Sequence, residues 1–282
     1  MAGRNKVAVI TGATGGLGQS FAHQLAQLGY NLVVTGRNND KLHKVAENIS
    51  VQYDVAVQAV VADFTQSADI EKLIDFITNL PGVDMLVSNA GYGEGRLFED
   101  EQTPGMLAMV KVHVDATLQL VQAVLPIMRK QCSGCIISVS SLSAFMPAPG
   151  SSIYAATKSF LNTFMESLQM EVRRHGIVVQ SLCPGLTHTG FHDRIPQGAK
   201  LSFGLFDLWM SPSDVVSASL KKLGSKRVVY VPGFKNKIIV FFTTLLPRSI
   251  YLALAERVSG KLRTVETAPR CDIKRLPETQ LV

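Results

Sequence analysis

The chain has 282 residues, of which 46% are hydrophobic and 18% charged, and a formal net charge of +6. This length suffices for one α/β domain with a full core, and no linker or repeat indicates a second domain. The positive charge suits an anionic ligand or an anionic membrane surface, but no run of basic residues is present, which argues against nucleic-acid binding.

Apolar strand-like runs alternate with segments of helical periodicity along most of the chain. This alternation predicts an α/β fold, a doubly wound Rossmann-like parallel sheet with helices on both faces. Ligands of such a sheet bind at the carboxyl ends of its strands. Strands are predicted at 6–11, 31–35, 57–62, 84–88, 135–140, 177–183 and 228–232, and helices at 16–28, 38–50, 67–79, 104–130, 151–174 and 213–223.

A glycine-rich turn follows the first strand. Residues 6–18 read Lys-Val-Ala-Val-Ile-Thr-Gly-Ala-Thr-Gly-Gly-Leu-Gly, an apolar strand and a turn that open an amphipathic helix. Such a turn lets backbone N–H groups and the helix dipole meet a pyrophosphate at close range. Alone, the turn is weak evidence for a nucleotide site. Its candidate cofactor-binding residues are Gly12, Thr14, Gly15, Gly16, Leu17 and Gly18.

The end of the second strand bears on the type of nucleotide. It reads Val-Val-Thr-Gly-Arg-Asn at 33–38, so Thr35 supplies no charge and Arg37 supplies a cation. A carboxylate there would accept hydrogen bonds from a ribose 2′-hydroxyl, whereas a 2′-phosphate needs a cation. The alternative is that Arg37 is a solvated loop residue, because no second basic residue occupies the glycine turn.

Three residues of the second half can together donate a proton. Tyr154 and Lys158 lie four positions apart on a predicted helix, which places them side by side, and Ser141 lies thirteen positions before the tyrosine. A neighbouring cation favours the phenolate of a tyrosine whose unperturbed pKa is about 10. Each residue alone has an ordinary alternative, namely a strand-end cap, a solvated lysine or a core aromatic.

Taken together, these motifs resemble the short-chain dehydrogenase/reductase family over residues 5–232. The resemblance implies NADP(H)-dependent hydride transfer between the nicotinamide and a carbonyl/alcohol pair, with NAD(H) as a secondary choice. It implies that Tyr154 is the general acid and that Ser141 polarises the carbonyl. Lys158 would lower the tyrosine pKa and hold the cofactor ribose. Homo-oligomers that pair through the helices at 104–130 and 151–174 are also implied.

The resemblance assigns further cofactor contacts. It places Asp63 at the adenine amino group, although a lone acid that closes a strand could equally cap the following turn. The segment Asn89-Ala90-Gly91 would lie at the adenosine ribose, with Ser88 in place of the family's first asparagine. The loop that holds the nicotinamide carboxamide would comprise Pro184, Gly185, Thr187 and Thr189.

One position departs from the family pattern. His113 occupies the place of the family's catalytic asparagine, which steadies a helix distortion and a water in the proton relay. Because histidine can hydrogen-bond and has an unperturbed pKa near 6.5, we hypothesise that His113 replaces the asparagine and shuttles protons directly. The alternative is that His113 only fills the helix interior.

Cysteine usage and the N-terminal residues bear on the compartment. Cys132 and Cys135 have CxxC spacing, but neither a second pair nor a histidine partner follows, so we predict reduced thiols and no metal site. The first apolar run is too short for the h-region of a signal peptide. We therefore expect a cytoplasmic protein.

The segment between Thr189 and Ser211 is long and has little polar character. Such a connection is usually functional, and in the family the equivalent region covers the substrate. Its apolar side chains predict a hydrophobic carbonyl or alcohol substrate rather than a sugar. Alternatively, they pack on the C-terminal helices. They are Phe191, Ile195, Leu201, Phe203, Leu205, Phe206, Leu208 and Trp209.

Beyond Gly233 two apolar stretches are divided by Pro247-Arg248. Each is shorter than the roughly 20 residues that span a bilayer, so we predict two short helices that cap the pocket or form a subunit contact. Basic residues around them raise the alternative of peripheral membrane contact through 236–264. The predicted organisation is a dinucleotide-binding and catalytic domain at 1–233, a helical extension at 234–264 and a flexible tail at 265–282.

A protein of a different class would fit some of these features. It is a nucleotide-binding regulatory or sensor protein with weak or no catalysis, as His113 and the extended C-terminus could indicate. The presence of Ser141, Tyr154 and Lys158 argues against it, because a protein that only binds the nucleotide would not need all three.

Overall fold

The computed structural model describes residues 5–93, 95–189, 208–225 and 227–262. The described strands are β1 Val7–Thr11, β2 Asn31–Gly36, β3 Val57–Val61, β4 Met85–Ser88, β5 Gly134–Val139, β6 Ile177–Leu182 and β7 Val229–Tyr230. The described α-helices are α1 Gly16–Gln27, α2 Asn39–Tyr53, α3 Ser67–Thr78, α4 Thr103–Val110, α5 Ala116–Gln131, α6 Ser152–Val172, α7 Pro212–Lys221, α8 Phe234–Leu245 and α9 Arg248–Leu262.

The seven strands form one parallel sheet in the order β3-β2-β1-β4-β5-β6-β7. The order reverses between β1 and β4, and this is the point of a doubly wound sheet at which a crevice for ligands opens. The prediction of a Rossmann-like α/β fold with a C-terminal helical extension is confirmed.

Both faces of the sheet are apolar, and each supports its own core. In β1, Val9 packs with α3, α5 and α6, whereas Ala8 and Ile10 pack on the other face with α1, α2 and α7. Side chains alternate between the faces of a strand, so a strand covered on both sides must be apolar throughout. This explains the continuous apolar runs in the sequence.

The helix predicted at 104–130 is interrupted in the structure. A π-helical turn at Lys111–Asp115 separates α4 from α5. Such a turn inserts one extra residue into the helical repeat and often occurs at functional sites. The apolar periodicity continues across it, so the sequence pattern alone does not reveal the interruption.

Parts of two predicted segments lie outside the described residues. They are the tail at 265–282 and, within the segment predicted to cover the substrate, Phe191, Ile195, Leu201, Phe203, Leu205 and Phe206. Only Leu208 and Trp209 of that apolar set are described. The shortest strand, β7, has two residues where five were predicted.

Candidate active site

The carboxyl ends of β1 and β4 are held together by one hydroxyl group. The backbone N–H groups of Asn89 and Ala90 donate to Thr11 Oγ1 at 2.8 and 2.9 Å. The Asn89 side chain donates from Nδ2 to the carbonyl oxygens of Thr11 and Gly12 at 2.9 and 3.2 Å. These bonds join the glycine turn to the segment after β4, although the two are far apart in sequence.

Three glycines of the turn, Gly12, Gly16 and Gly18, leave no room for side chains. Gly12 has φ +65°, and a Cβ there would lie 3.0 Å from the Ala90 Cα. A Cβ at Gly18 would lie 2.6 Å from Asn89 Nδ2, and one at Gly16 would overlap the Thr189 side chain. Gly15 is the N-cap of α1 and offers no side-chain acceptor. The first N–H groups of α1 therefore suit an anionic ligand.

A cleft of about 650 Å³ opens beside this turn. Thr35 Oγ1 is buried beside it and has no hydrogen-bond partner in the described part of the chain, as suits a site that a polar ligand completes. Arg37 is exposed at the rim. The cleft is lined by Gly12, Thr14, Gly15, Thr35, Gly36, Arg37, Ala62, Asp63, Phe64, Ala90, Gly91, Tyr92 and Val112.

Asp63 caps the turn after β3 and also lines the cleft. Its Oδ1 accepts hydrogen bonds from Thr65 N at 3.0 Å and from Thr65 Oγ1 at 2.9 Å, which caps the turn after β3. The same residue also lines the cleft. The turn therefore orients the carboxylate at the place where a ligand can reach it.

Ser141, Tyr154 and Lys158 come together at the next strand end. Ser141 follows β5, and its Oγ accepts from Ser143 N at 3.1 Å. Tyr154 lies in the first turn of α6 and Lys158 one turn later, with Nζ 5.7 Å from the tyrosine ring centroid. Lys158 Nζ donates to Val139 O at 2.8 Å, so the ammonium group is fixed by the end of β5.

Burial shifts both titratable groups of this trio. Removal from water lowers the pKa of Lys158 to about 8 and raises the pKa of Tyr154 to about 12. A hydrogen bond with Ser141 acts on the Tyr154 pKa in the lowering direction but is outweighed. We expected Lys158 to lower the Tyr154 pKa. In the protein alone the Tyr154 pKa is raised instead, because desolvation of the phenolate dominates.

His113 lies in the π-helical turn and is 1% exposed. Its Nε2 accepts from Tyr92 N at 3.0 Å. Its Nδ1 lies 3.0 Å from Thr157 Oγ1, and that hydroxyl donates its proton to Tyr154 O at 2.8 Å. Thr157 must then accept from Nδ1–H, so the two bonds define a neutral imidazole with its proton on Nδ1.

The electrostatic surroundings of His113 favour the same neutral form. Burial, and after it the nearby Lys158 ammonium, lower the pKa of His113 well below 6.5. A proton on Nε2 would also face the Tyr92 N–H, where no lone pair is available. Both ring nitrogens are thus occupied by structural hydrogen bonds.

Thr117 and Ser88 complete this network. Thr117 Oγ1 donates to His113 O at 2.8 Å, and Ser88 Oγ lies 2.8 Å from Thr117 Oγ1. Because Thr117 already donates, Ser88 is the donor between them. Two sequence features point to this network. Thr117 lies four residues after His113, and Thr157 lies directly before Lys158.

The loop after β6 extends from the site to the C-terminal helices. Leu142 N donates to Pro184 O at 3.1 Å, which ties the loop to the Ser141 turn. Thr187 is buried, and its Oγ1 donates to Gly185 O at 3.0 Å. A Cβ at Gly185 would lie 2.6 Å from Asn236 Nδ2 in α8. The loop thus touches both α8 and, through Thr189, the glycine turn.

The cysteines are separate from this site or only border it. Cys132, Cys135 and Cys183 are free, and Cys132 caps the C-terminus of α5 in the left-handed conformation. Burial raises the pKa of Cys183 to about 11. Among the described residues no group of three histidine, cysteine or acidic side chains could hold a metal ion. Cys271 lies outside the described residues.

Known proteins resemble this chain in sequence. A family model described as short chain dehydrogenase matches residues 6–200. An uncharacterized oxidoreductase of Staphylococcus epidermidis is 34% identical over 187 residues, which cover 66% of this chain and 80% of the relative.

Two solved structures are similar over most of the chain. A short-chain dehydrogenase from Sphingobium yanoikuyae in complex with NADPH has a TM-score of 0.74 and 26% identity, with 95% of this chain and 99% of the other covered. A 7β-hydroxysteroid dehydrogenase has a TM-score of 0.80 and 25% identity, with 89% and 96% covered.

Proposed function

This chain is an oxidoreductase of the short-chain dehydrogenase/reductase family, and we propose that it transfers a hydride between NADP(H) and a carbonyl/alcohol pair, in the reductive direction. The observation that carries the proposal is the meeting of Ser141, Tyr154 and Lys158 at the sheet edge that also bears the glycine turn. A sensor that only bound the nucleotide would not need this arrangement.

The cleft beside the glycine turn fits a dinucleotide. Its crowded glycines leave backbone N–H groups for a pyrophosphate, and Thr35 has a buried hydroxyl without a partner among the described residues. Arg37 at the rim provides a cation for a 2′-phosphate, and position 35 is a threonine rather than an acidic residue. Both features support NADP(H) over NAD(H). When bound, the reduced nicotinamide supplies the hydride.

Three side chains would manage the proton. The Ser141 hydroxyl polarises the substrate carbonyl, and the Tyr154 hydroxyl donates the proton to the developing alkoxide. Lys158, whose pKa of about 8 leaves it mostly charged at neutral pH, holds positive charge beside the phenol. Because burial alone raises the Tyr154 pKa, the phenolate left after proton donation would need the Lys158 cation beside it.

His113 would act as a positioning residue rather than as a direct proton shuttle. Its fixed tautomer joins the segment after β4, through Tyr92 N, to Thr157 in α6. Thr157 in turn bonds to the Tyr154 carbonyl, so the network holds the turn that carries the catalytic tyrosine. It would take the structural part of the family asparagine's role and leave proton transfer to other groups.

A hydrophobic substrate is the proposal for specificity. A cleft open to solvent lies against Tyr154. Phe98, Met106, Met109 and Ile153 supply its apolar lining, with Arg96 and Glu101 as charged neighbours. The similarity to a 7β-hydroxysteroid dehydrogenase supports a bulky apolar carbonyl compound of this kind.

Location and assembly remain part of the proposal. We expect a cytoplasmic homo-oligomer, and exposed Leu107, Val110, Phe160 and Met170 on α4 and α6 support pairing through these helices. The proposed division places the catalytic domain before α8, with peripheral membrane contact assigned to 236–264. Size-exclusion chromatography with light scattering tests the oligomer.

The enzymatic proposal is tested by NADPH oxidation with a panel of ketones of increasing size and hydrophobicity. Tyr154→Phe should lower kcat by about 10²–10⁴-fold, because it removes only the proton donor. Fluorescence titration should show unchanged NADPH affinity for this variant. Tight NADPH binding without turnover of any ketone by the unmodified protein would favour the sensor instead.

The cofactor part has its own test. Arg37→Ala should raise the Kd for NADPH by about tenfold or more and leave that for NADH unchanged, because only NADPH carries the 2′-phosphate. Equal effects on both nucleotides would make Arg37 a general electrostatic contributor. No effect on either would make it a solvated loop residue.

A further inference from the structure

The C-terminal hairpin, defined here as α8 and the part of α9 up to Arg257, exposes a large apolar surface. On α8, Phe234 is 77%, Phe241 61% and Leu245 67% exposed, and Ile238 and Phe242 are exposed with them. These five residues recur at i, i+4, i+7, i+8 and i+11, so they form one stripe along the helix. Water-facing helices carry polar side chains at such positions.

The opposite side of α8 attaches the helix to the body. Asn236 is 3% exposed, and its Nδ2 donates to Pro232 O at 2.9 Å and contacts the Met210 sulfur. Val240 packs against the small cluster of Leu142, Cys183 and Val231. The orientation of the helix is thereby fixed, so the outward stripe is not the helix's own core-facing side.

Helix α9 extends the apolar surface. Ile250, Leu252 and Leu254 of α9 and Leu246 at the break before it are 37–49% exposed. The two helices are bent by 117° at the break between them. Together they have the length and composition of a membrane span, but none of the described helices has them alone. Such a pair suits binding along an interface rather than a straight crossing.

The charges of the hairpin are mainly of one sign. Between Phe234 and Arg257 the sequence contains Lys235, Lys237, Arg248 and Arg257 but only one acidic residue, Glu256. All five are exposed. Basic residues next to apolar helical faces are complementary to the headgroups of anionic lipids. Each basic residue adds electrostatic attraction to the membrane surface, while the apolar side chains enter the boundary of the acyl chains.

The hairpin also adjoins the candidate substrate cleft. Tyr251 Oη donates to Pro147 O at 3.2 Å, which links α9 to the segment before α6. Three residues further along, Gly150 and the residues that follow it line the cleft at Tyr154. The segment that α9 contacts at Pro147 therefore leads directly into the lining of this cleft.

We propose that the C-terminal hairpin binds the surface of an anionic bilayer through the apolar stripe of α8, the exposed apolar residues of α9 and the surrounding basic residues. Membrane binding stands independently of the proposed enzymatic function. Its consequence, which rests on that function, is that a lipid-dissolved carbonyl substrate reaches the cleft at Tyr154 directly from the membrane.

The test is flotation of the full chain with vesicles of phosphatidylcholine and phosphatidylserine, and with vesicles of phosphatidylcholine alone. The protein should float with the anionic vesicles at least about tenfold more strongly than with the neutral ones. The double variant Phe241→Asp, Phe242→Asp should bind vesicles about tenfold or more weakly, because charged side chains are excluded from the acyl region.

A matched control uses exposed apolar residues outside the hairpin. Leu28 and Val51 are 65% and 82% exposed on the α1 and α2 side of the sheet, and Leu28→Asp with Val51→Asp should leave flotation unchanged. Equal loss in both double variants, or absence of binding to anionic vesicles, would overturn the proposal. Circular dichroism and thermal unfolding check that both variants fold.

A second copy of the chain is the competing occupant of this surface. Sedimentation velocity without vesicles distinguishes it, since the hairpin variant should keep the oligomeric state of the unmodified protein. A shift to smaller species in that variant would identify the hairpin as a subunit contact and overturn membrane binding. Flotation uses neither cofactor nor ketone, so its failure is separate from failure of the enzymatic proposal.

Discussion

Helices α1 and α8 are each twelve residues long, and both carry apolar residues at helical spacing, yet they have opposite surroundings. In α1, Phe21 and Leu25 are completely buried against the sheet. In α8, only Asn236 is buried, whereas Phe241 and Leu245 lie exposed. The difference teaches that apolar periodicity identifies a helix but not the partner of its apolar face.

Position in the sheet explains the contrast. Helix α1 connects β1 to β2 and lies on strands that are paired on both sides. Helix α8 follows β7, the edge strand, whose ladder has only two residues. Beyond that edge little sheet surface remains to bury a second helix, so the apolar stripe of α8 faces outward.

The strongest way to break this comparison is a matched pair of truncations. Phe21→Ala should lower the free energy of unfolding by about 3–5 kcal/mol, because it leaves a cavity in a closed core. Phe241→Ala should change it by less than about 0.5 kcal/mol, because the side chain is already exposed. Urea denaturation measures both. Comparable losses would mean that the α8 stripe is packed in solution.

The next effect concerns a charge that is buried on α6 rather than exposed as on α8. The pKa of Lys158 is lowered to about 8, so the ammonium is protonated below that pH and neutral above it. If ketone reduction needs the cation, kcat/KM should fall by about tenfold per pH unit above pH 8, or about a hundredfold by pH 10.

Lys158→Arg is the control for this pH profile. A guanidinium stays charged throughout the range, so the activity that remains should not fall between pH 8 and 10. The Tyr154 pKa of about 12 places its own loss of the proton above this window. A break near pH 10 in the unmodified protein would show that Lys158 is not the titrating group.

The smallest effect is expected for His113 in the π-helical turn. This prediction tests whether a buried residue beside the site, unlike an exposed residue of α8, affects catalysis. His113→Ala should lower kcat by about tenfold through loss of its two hydrogen bonds. The KM for the ketone and the pH profile should stay unchanged, because an imidazole in the proposed positioning role exchanges no proton. His113→Asn should recover part of the rate, since an amide can also donate and accept.

Steady-state kinetics across pH decides between the roles considered for His113. A shift of the pH profile in His113→Ala would support the hypothesis that His113 shuttles protons directly, because the ring itself would then titrate. Full activity of this variant at every pH would mean that the imidazole only fills space. A kcat loss with an unmoved profile supports the positioning role.

Much of the fold followed from local patterns. Strand runs apolar on both faces required helices on both sides, and this placed the residues after β1, β4, β5 and β6 at one edge. The i, i+4 spacing of Tyr154 and Lys158 put them side by side before any tertiary contact was known. The apolar pattern continues through Lys111–Asp115 and gives no sign of the π-helical turn; only the family resemblance at His113 implied a helix distortion there.

The sequence by itself determined the sheet, the glycine turn and the neighbouring tyrosine and lysine, since each depends on residues close together in the chain. Only the tertiary structure decided the tautomer of His113, the lowered Lys158 pKa and the exposure of α8. His113 obtains its partners 21 and 44 residues away. Hydrogen-bond direction and desolvation depend on atoms that distant segments bring together, and no local pattern records those atoms.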